Sequence, residues 1–397
     1  MFTPVVAAIR RCSAANKCLS SSSSSFAPSP TSAFGSALPP RRSFMASSLS
    51  SASSSRRSVA ARPPLLLSPA ALSKALSETD SKNGIVTLDA TWFMPNLNPP
   101  RNARAEFNKG PRIPNARFWD VDEVADKSVI EGLGTPLPHM MPDGQTFAQA
   151  AGEAGIEPET HVVVYDTHGI FSAPRTAFTF LAFGHQRVSV LDGGLPGWIA
   201  SKYEVEDGES KTQVQRTNYP RPTLRPNRIR SYEEMRANAA LGTSRAQAVL
   251  DARPQPRFAG TAPEPRPGLS SGHIPASYSL PFSTLLDSKD GYTVLKSQTD
   301  LWRVISNALA ERQSSWGAGA GASAEEGGNS SVDRLRQESS GSDQVAVTAT
   351  CGSGMTAAVV WLALQQLGIE SAIYDESWTG WASRKDAPII KDEAKEA

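Results

Sequence analysis

Residues 345–361 read VAVTATCGSGMTAAVVW and carry the clearest signal of the fold class. The first six of these residues are small or β-branched, a composition typical of a buried strand. Gly352 and Gly354 then predict a loop, and an apolar segment of helical length runs on to Gly368. A buried strand that leads through a short loop into a helix is a unit of folds with parallel sheets, so the stretch predicts an α/β fold.

The same order of signals occurs a second time, earlier in the chain. Residues 162–166 read VVVYD and are followed by a loop and an apolar segment that ends at Gly184. Other matching signals are Asp89-Ala90 and Asp251-Ala252 after apolar runs, Ile113-Pro114 and Ile274-Pro275 in turns, and the tryptophans Trp198 and Trp381. An internal repeat of this kind indicates paralogous units. We therefore predict two tandem modules, each a parallel sheet flanked by helices.

Length and composition place the boundaries of these modules. A chain of 397 residues suits two domains, and we predict a first module at residues 70–205 and a second at 231–390. Residues 206–230 are polar and contain several prolines, which indicates an extended linker. Residues 314–342 are dense in Gly, Ser and Ala, so they can bury little apolar surface, and we predict a disordered insertion there.

The first 65 residues have the composition of an organellar targeting segment. Residues 1–77 contain nine Lys and Arg and no Asp or Glu, and residues 20–25 are six serines. Such a composition is typical of a transit peptide, so we exclude residues 1–65 from the fold. The opening MFTPVVAAIRR favours a mitochondrial destination, and the serine run also suits a chloroplast. A second start at Met45 would give a cytoplasmic form, and a disordered cytosolic tail is a further alternative.

Charge, hydropathy and cysteine content exclude several classes of protein. The formal net charge is +1, which argues against an electrostatic nucleic-acid binder. No run of about 18 apolar residues is present, so the sequence predicts no membrane span. Two of the three cysteines, Cys12 and Cys18, lie in the predicted transit peptide. Cys351 would then be the one thiol of the mature chain, which leaves no partner for a disulfide and no cluster for a metal.

Cys351 stands where the predicted strand ends and the helix begins. The flanking glycines let the backbone curl, so that successive N–H groups can form a concave anion-binding nest, and the helix N-terminus adds partial positive charge. These surroundings favour a thiolate and would equally stabilise a persulfide anion. The alternative is an inert cysteine buried at the end of a strand.

These features together resemble the rhodanese superfamily, and within it the 3-mercaptopyruvate sulfurtransferases, whose active loop reads Cys-Gly-Ser/Thr-Gly-Val-Thr. The loop, the repeated architecture and the stretch GTAPEPR at residues 260–266 match from about residue 71 to residue 390. The resemblance implies two tandem rhodanese-like modules and an enzyme that carries sulfur on Cys351. It assigns substrate contacts to four residues of the loop: Gly352, Gly354, Met355 and Thr356. Met355 replaces the usual valine of the family.

The resemblance also indicates the sulfur donor. Thiosulfate-preferring relatives carry Arg and Lys where Gly352 and Ser353 stand here, and the absence of these two cations favours 3-mercaptopyruvate. A small 2-oxo acid needs cations for its carboxylate and carbonyl, and Arg257 and Arg266 flank the matching stretch. Thiosulfate:cyanide sulfurtransferase activity is the nearest alternative. A non-catalytic sulfur-binding or scaffold protein is the alternative from a different class.

The family pattern pairs the loop serine, Ser353, with a histidine and an aspartate of the first module. These correspond to His139 and Asp122, so the resemblance implies an Asp122, His139, Ser353 relay that protonates the enolate left when sulfur departs. Asp166 stands where the first module would have its active cysteine. The first module is therefore predicted to be catalytically silent, with Asp166 supporting the interface.

The implied reaction has two half-reactions. The Cys351 thiolate takes sulfur from the donor and releases pyruvate. An external acceptor such as thioredoxin, a small thiol or cyanide then removes the sulfur, because the mature chain would contain no second cysteine. The reaction requires neither a metal nor an organic cofactor.

Overall fold

A computed structural model describes residues 62–78, 84–130, 132–210, 212–310, 331–339 and 345–392. Residues 1–61, which make up most of the predicted transit peptide and include Met45, lie outside the described residues. The same is true of residues 311–330 and 340–344, which hold most of the predicted insertion. No helix among the described residues has both the length and the apolar character needed to cross a bilayer.

The first module contains a sheet of five parallel strands. In spatial order these are β1 (Leu66–Leu67), β5 (Val188–Leu191), β4 (His161–Tyr165), β2 (Ile85–Asp89) and β3 (Arg117–Phe118). Every residue of the central strand β4 is buried. This is the behaviour expected of a β-branched run that has a strand on each side and helices on its faces.

The second module contains an equivalent sheet, also parallel throughout. Its strands are, in spatial order, β6 (Ile229–Arg230), β12 (Ser371–Tyr374), β11 (Val347–Thr350), β7 (Ala248–Asp251) and β8 (Ser277–Ser279). A separate antiparallel hairpin consists of β9 (Leu286–Lys289) and β10 (Tyr292–Leu295). The matching strand orders confirm the predicted α/β fold with two tandem modules.

Helices flank both sheets. Those of the first module are α1 (Pro69–Glu78), α2 (Ala103–Lys109), α3 (Val121–Val124), α4 (Gly144–Glu153), α5 (Ala173–Ala182) and α6 (Gly194–Ala200). Those of the second are α7 (Tyr232–Ala240), α8 (Gln255–Ala259), α9 (Gln298–Ala308), α10 (Ser331–Glu338), α11 (Ala357–Gln366) and α12 (Ser377–Ala382). Two short 3₁₀ turns cover Pro226–Arg228 and Phe282–Leu285.

Two helices that are buried nearly all round, α5 and α11, join the modules. All ten residues of α5 are buried, and so is α11 as far as Leu364. The rings of Phe178 and Trp361 meet edge to face at 5.3 Å, within one apolar cluster that draws on both modules. A helix that is apolar on every face is stable only when it is covered on every face. The loops that precede these two helices are therefore brought to the interface between the modules.

Part of the predicted insertion is folded, so the prediction of disorder is wrong for its C-terminal part. Helix α10 lies within it, and Val332 and Leu335 of this helix are completely buried. Arg336 Nε donates a hydrogen bond to the carbonyl of Leu367 at 2.8 Å. Two apolar residues three positions apart give a helix one stripe to bury. The surrounding Gly and Ser content concealed this pattern.

Two short edge strands lie outside the predicted module boundaries. β1 begins at Leu66, before residue 70, and the carbonyl of Pro64 accepts a hydrogen bond from Ser189 Oγ at 2.6 Å. The carbonyls of Pro64 and Leu65 thus accept hydrogen bonds from the first module, although the predicted transit peptide extends to residue 65. β6 lies at the end of the predicted linker and pairs with β12. The remaining linker packs along the first module, where Thr217 N donates to the carbonyl of Gly152 at 2.9 Å.

Candidate active site

The Cys351 loop connects the end of β11 to the start of α11. Cys351 is a free thiol whose residue is only 2% exposed. Helix α12 supports the loop from the other side: Trp378 N donates to the carbonyl of Cys351 at 2.9 Å, and Thr379 N donates to the carbonyl of Gly352 at 3.0 Å. Cys351 thus follows directly on β11, and two hydrogen bonds from α12 hold the backbone of its loop.

The backbone amides of this loop point to no acceptor among the residues that the structure describes. Within the part of the chain that the structure describes, the N–H groups of residues 352–356 donate no hydrogen bond. Gly354 adopts φ +80°, a left-handed conformation that glycine accepts readily and that turns the chain around the sulfur. Free N–H groups ahead of a helix N-terminus favour an anion as their partner. The loop has the form of an anion-binding nest.

The equivalent loop of the first module is filled by a side chain of its own. Asp166 is completely buried, and its carboxylate accepts four backbone N–H groups, each at 2.9 Å, from His168, Phe171, Ser172 and Ala173. Burial acts to raise the pKa of Asp166, but His168 and these amides lower it below its ordinary value. The carboxylate therefore stabilises its own loop rather than bonding the second module. The same type of nest exists twice, occupied by Asp166 in one module and open beside Cys351 in the other.

The neighbouring strand ends also differ between the modules. In the first module, burial raises the pKa of Asp89 to about 6, although Thr91 donates to Asp89 Oδ1 from its backbone N at 2.9 Å and from its hydroxyl. In the second module, the matching Asp251 is paired with Arg253, whose Nη2 lies 2.6 Å from Asp251 Oδ2. Among the described residues, an ion pair to this buried aspartate is found in the module that contains Cys351 and not in the other.

Ser353, His139 and Asp122 form a continuous chain of polar contacts between the modules. Ser353 Oγ lies 3.0 Å from His139 Nδ1, and His139 Nε2 lies 3.1 Å from Asp122 Oδ1. Trp92 Nε1 donates to the other oxygen of Asp122 at 2.8 Å, and its ring meets that of His139 edge to face at 4.7 Å. The structure brings together the three residues of the predicted relay, although 214 positions separate His139 from Ser353.

The surroundings of Asp122 keep its carboxylate ionised. Asp122 lies in the first turn of α3, which Asp120 caps by accepting the Asp122 N–H at 3.0 Å. Burial acts to raise the pKa of Asp122, but the hydrogen bond and charge of His139, with the hydrogen bond from Trp92, lower it below its ordinary value. A carboxylate beside Nε2 orients the imidazole and stabilises its protonated form.

Arg266, one of the two arginines predicted to bind the donor, lies against the Cys351 loop. Its Nη1 is 3.3 Å from Thr379 Oγ1 and 3.7 Å from the point where a Cβ on Gly352 would stand. Burial lowers the pKa of Arg266, and the charges of Cys351 and Glu264 act in the opposite direction. A half-buried guanidinium is thus available at the mouth of the nest.

Arg257, the second arginine, lies beside Glu264, which also pairs with Arg253. Its Nη1 lies 3.5 Å from Glu264 Oε2, and its side chain is 22% exposed. The other oxygen of Glu264 pairs with Arg253 at 2.8 Å. Arg253 and Arg257 therefore both pair with Glu264, and Arg253 also pairs with Asp251. Arg266 is near enough for the charge of Glu264 to oppose the lowering of its pKa by burial.

The two remaining residues of the predicted loop differ in their surroundings. Met355 is 3% exposed and belongs to the apolar core, which leaves its backbone amide as its contribution to the loop. Thr356 is half-buried, and its carbonyl accepts the N–H of Val359 at 3.0 Å as α11 begins. Together they connect the nest to the helix N-terminus.

Two buried residues that contact the site were not predicted from the sequence. Arg175, in α5, donates from Nη2 to the carbonyl of His139 at 2.5 Å and to Asp375 Oδ1 at 2.8 Å. Asp375 in turn accepts the N–H of Met141 at 2.7 Å. The available signal was a lone charged residue in an otherwise apolar helix.

The assembled groups suit transfer of an electrophilic atom to a thiol. They comprise a thiol beside free amides, a hydroxyl, imidazole and carboxylate in series, and guanidinium groups for an anionic substrate. Among the residues described, no group of three or more His, Cys, Asp or Glu side chains is arranged to hold a metal ion.

Comparison with known proteins gives a consistent family. The model of the rhodanese-like domain matches residues 100–201. The human 3-mercaptopyruvate sulfurtransferase is 34% identical over 322 residues, which cover 80% of this chain and 92% of the human protein. The mitochondrial thiosulfate/3-mercaptopyruvate sulfurtransferase 1 of Arabidopsis thaliana is 35% identical over 321 residues, which cover 76% of this chain and 73% of that protein.

The fold is similar to that of solved structures. The crystal structure of the Tum1 protein from Saccharomyces cerevisiae superposes with a TM-score of 0.67 at 28% identity, over 83% of this chain and 99% of that chain. The similarity extends across both modules.

Proposed function

Because this chain belongs to the 3-mercaptopyruvate sulfurtransferases of the rhodanese superfamily, and is thus an enzyme of sulfur transfer, we propose that it uses 3-mercaptopyruvate and a Cys351 persulfide. One observation carries the proposal. The nest that Asp166 fills with a carboxylate in the first module is open beside Cys351 in the second. An anionic outer sulfur on Cys351 is the group that this open nest would hold.

The donor is bound by its charged end. Arg266 and Arg257 face the carboxylate and carbonyl of the 2-oxo acid, for which planar guanidinium groups are well suited. The loop itself carries no cation, because Gly352 and Ser353 are neutral. A dianionic donor such as thiosulfate therefore has fewer partners here than a singly charged one.

In the first half-reaction, the Cys351 thiolate attacks the thiol sulfur of the donor. An S–S bond forms while the bond between sulfur and C3 breaks, and the electron pair of that bond passes to C3 as the enolate of pyruvate. Ser353 delivers a proton to this carbon, and His139 restores the proton to Ser353, with Asp122 stabilising the imidazolium. The proton that the donor thiol loses recharges His139, and C3 gains one proton through Ser353, so the half-reaction consumes none.

In the second half-reaction, an acceptor attacks the outer sulfur of the persulfide. A thiolate becomes a persulfide itself, or cyanide becomes thiocyanate, and the electron pair of the S–S bond returns to Cys351 as a thiolate. Small thiols, thioredoxin and cyanide are the acceptors that we propose. The cycle is ping-pong, because pyruvate leaves before the acceptor reacts.

The donor assignment predicts a difference between two assays. We expect kcat/KM for pyruvate formation from 3-mercaptopyruvate and a thiol to exceed that for thiocyanate formation from thiosulfate and cyanide by at least about tenfold, or ~1.4 kcal/mol. Both are measured on the same purified protein. Comparable or reversed values would indicate a thiosulfate sulfurtransferase, and turnover of neither donor would indicate a non-catalytic sulfur-binding protein.

A matched variant tests the electrostatic reason for this difference. A Cβ on Gly352 would meet Arg266 Nη1 at 3.7 Å, an ordinary contact, so Gly352→Arg introduces no clash at its first side-chain carbon. Because the new cation lies beside the nest, it should raise kcat/KM for thiosulfate and reduce the ratio between the donors. An unchanged ratio would show that loop charge does not select the donor.

We also propose that the protein is imported into mitochondria. The acid-free, Arg- and Ser-rich composition of residues 1–65 supports this, as does the mitochondrial name of the Arabidopsis relative. A reporter fused after residue 65 should be found in mitochondria in plant cells, and the same fusion started at Met45 should remain in the cytosol. A reporter found in chloroplasts would contradict the proposal.

A further inference from the structure

Arg175 is buried where an unpaired cation would be costly. It is the one charged residue of α5, and its residue is 2% exposed. Removing a guanidinium from water is unfavourable unless hydrogen bonds and an opposite charge replace the lost hydration. Arg175 must therefore be stabilised in this apolar helix by the hydrogen bonds and the opposite charge that surround it.

These contacts hold the backbone of His139 and of the residue two positions after it. Arg175 Nη2 donates to the carbonyl of His139 and to Asp375 Oδ1, while Asp375 Oδ2 accepts the N–H of Met141. His139 has φ +60°, a left-handed conformation that a residue with a side chain adopts rarely. The backbone of His139 is thus held in an unfavourable conformation by a buried ion pair that joins the modules.

The same guanidinium touches the Cys351 loop. Arg175 Nη1 is buried, has no hydrogen-bond partner among the described residues, and lies 3.1 Å from the point where a Cβ on Gly354 would stand. One planar side chain therefore packs against the sulfur loop through Nη1 and bonds the backbone of His139 through Nη2.

We propose that Arg175, anchored by Asp375, is a positioning residue that holds His139 in register with Ser353 for protonation of the departing enolate. This inference rests on the proposed function and deepens it. The hydrogen bonds of Arg175 go to the backbone of His139 and to Asp375, so its role is to position these groups. Its effect reaches the chemistry through the 3.0 Å contact between His139 Nδ1 and Ser353 Oγ.

The test compares the turnover of both donors by full-length Arg175→Met with that by the parent protein. We expect kcat with 3-mercaptopyruvate to fall about 100-fold, and KM to change by less than about threefold, because proton transfer is impaired and donor binding is not. Turnover of thiosulfate should change by less than about threefold, because departing sulfite leaves no carbanion to protonate. Arg175→Lys should lose only about tenfold, since an ammonium keeps the charge without the fork.

A double-mutant cycle separates positioning from general destabilisation. Adding Arg175→Met to His139→Ala should lower kcat with 3-mercaptopyruvate by less than about threefold more, because the effect passes through His139. The proposal would be overturned if Arg175→Met lowered kcat about 100-fold both in the parent and in His139→Ala. It would also be overturned if turnover of both donors fell equally. A parent protein that forms no pyruvate would instead overturn the proposed function.

Asp192 provides a matched control. It accepts the N–H of Leu295 at 3.0 Å across the modules, but at the silent loop, so Asp192→Asn should leave kcat within about twofold. Should Arg175→Met fail to fold, Asp375→Asn is the second variant, because it removes the acceptor for Met141 N and retains an oxygen for Arg175. We expect it to lower kcat with 3-mercaptopyruvate about tenfold. A folded Asp375→Asn with parental kcat would contradict the proposal.

Discussion

Replacing Cys351 with serine is expected to abolish sulfur transfer from either donor, with kcat/KM reduced by at least about 10³-fold. A hydroxyl group is far less acidic than a thiol and cannot store a sulfur atom as a persulfide. The proposed role of the nest is to hold an anionic sulfur, and serine provides none. The measurement is steady-state pyruvate and thiocyanate formation by the purified variant.

A control distinguishes this loss from a general need for thiols. Cys12 and Cys18 are the other two cysteines of the chain, and the Cys12→Ser, Cys18→Ser double variant should keep parental activity. Because serine nearly matches cysteine in volume, Cys351→Ser should also unfold at a temperature close to that of the parent. Residual turnover above about one per cent in Cys351→Ser would point to a different sulfur carrier.

Replacing His139 with alanine is expected to slow pyruvate formation about 100-fold, the usual range for loss of a positioned acid or base. Discharge of a preformed persulfide should slow much less, because the acceptor step leaves a thiolate and needs no proton on carbon. A rapid-quench measurement of the pyruvate burst, followed by thiol addition to the sulfur-loaded protein, separates the two steps. His139→Asn should behave similarly, since it fills much of the space without an imidazole.

His168 is the matched control for His139. It lies in the silent loop, with Nδ1 3.7 Å from Asp166 Oδ1, and its ring packs against Phe171. His168→Ala should leave both half-reactions within about threefold of the parent. Equal slowing of both half-reactions in His139→Ala would mean that His139 supports the loop and does not relay a proton.

The fold was predictable where a local pattern is sufficient. β4 and β11 are apolar runs that need neighbours on both sides, and the loop and helix after each can be recognised from the sequence alone. β1 and β6 were missed because two residues contain no period, and tertiary pairing alone makes them strands. Helix α10 was missed because its short apolar stripe lies among Gly and Ser.

The site was predictable in proportion to how local it is. Cys351 and Ser353 share one loop, so their chemistry can be inferred from their neighbours. His139 and Asp122 were reached only through the family resemblance. His139 lies 214 positions before Ser353, and no local pattern connects residues so far apart. The carboxylate of Asp166 could not be placed in its own nest, since that depends on the directions of four amides in space.

The most direct test of a sulfur held on Cys351 is the mass of the intact protein after 3-mercaptopyruvate is added without an acceptor. The protein should gain one sulfur atom, located on the peptide that contains Cys351, and lose it when a thiol is added, while Cys351→Ser should gain nothing. Pyruvate released with no gain in protein mass, or the same gain in Cys351→Ser, would contradict a Cys351 persulfide.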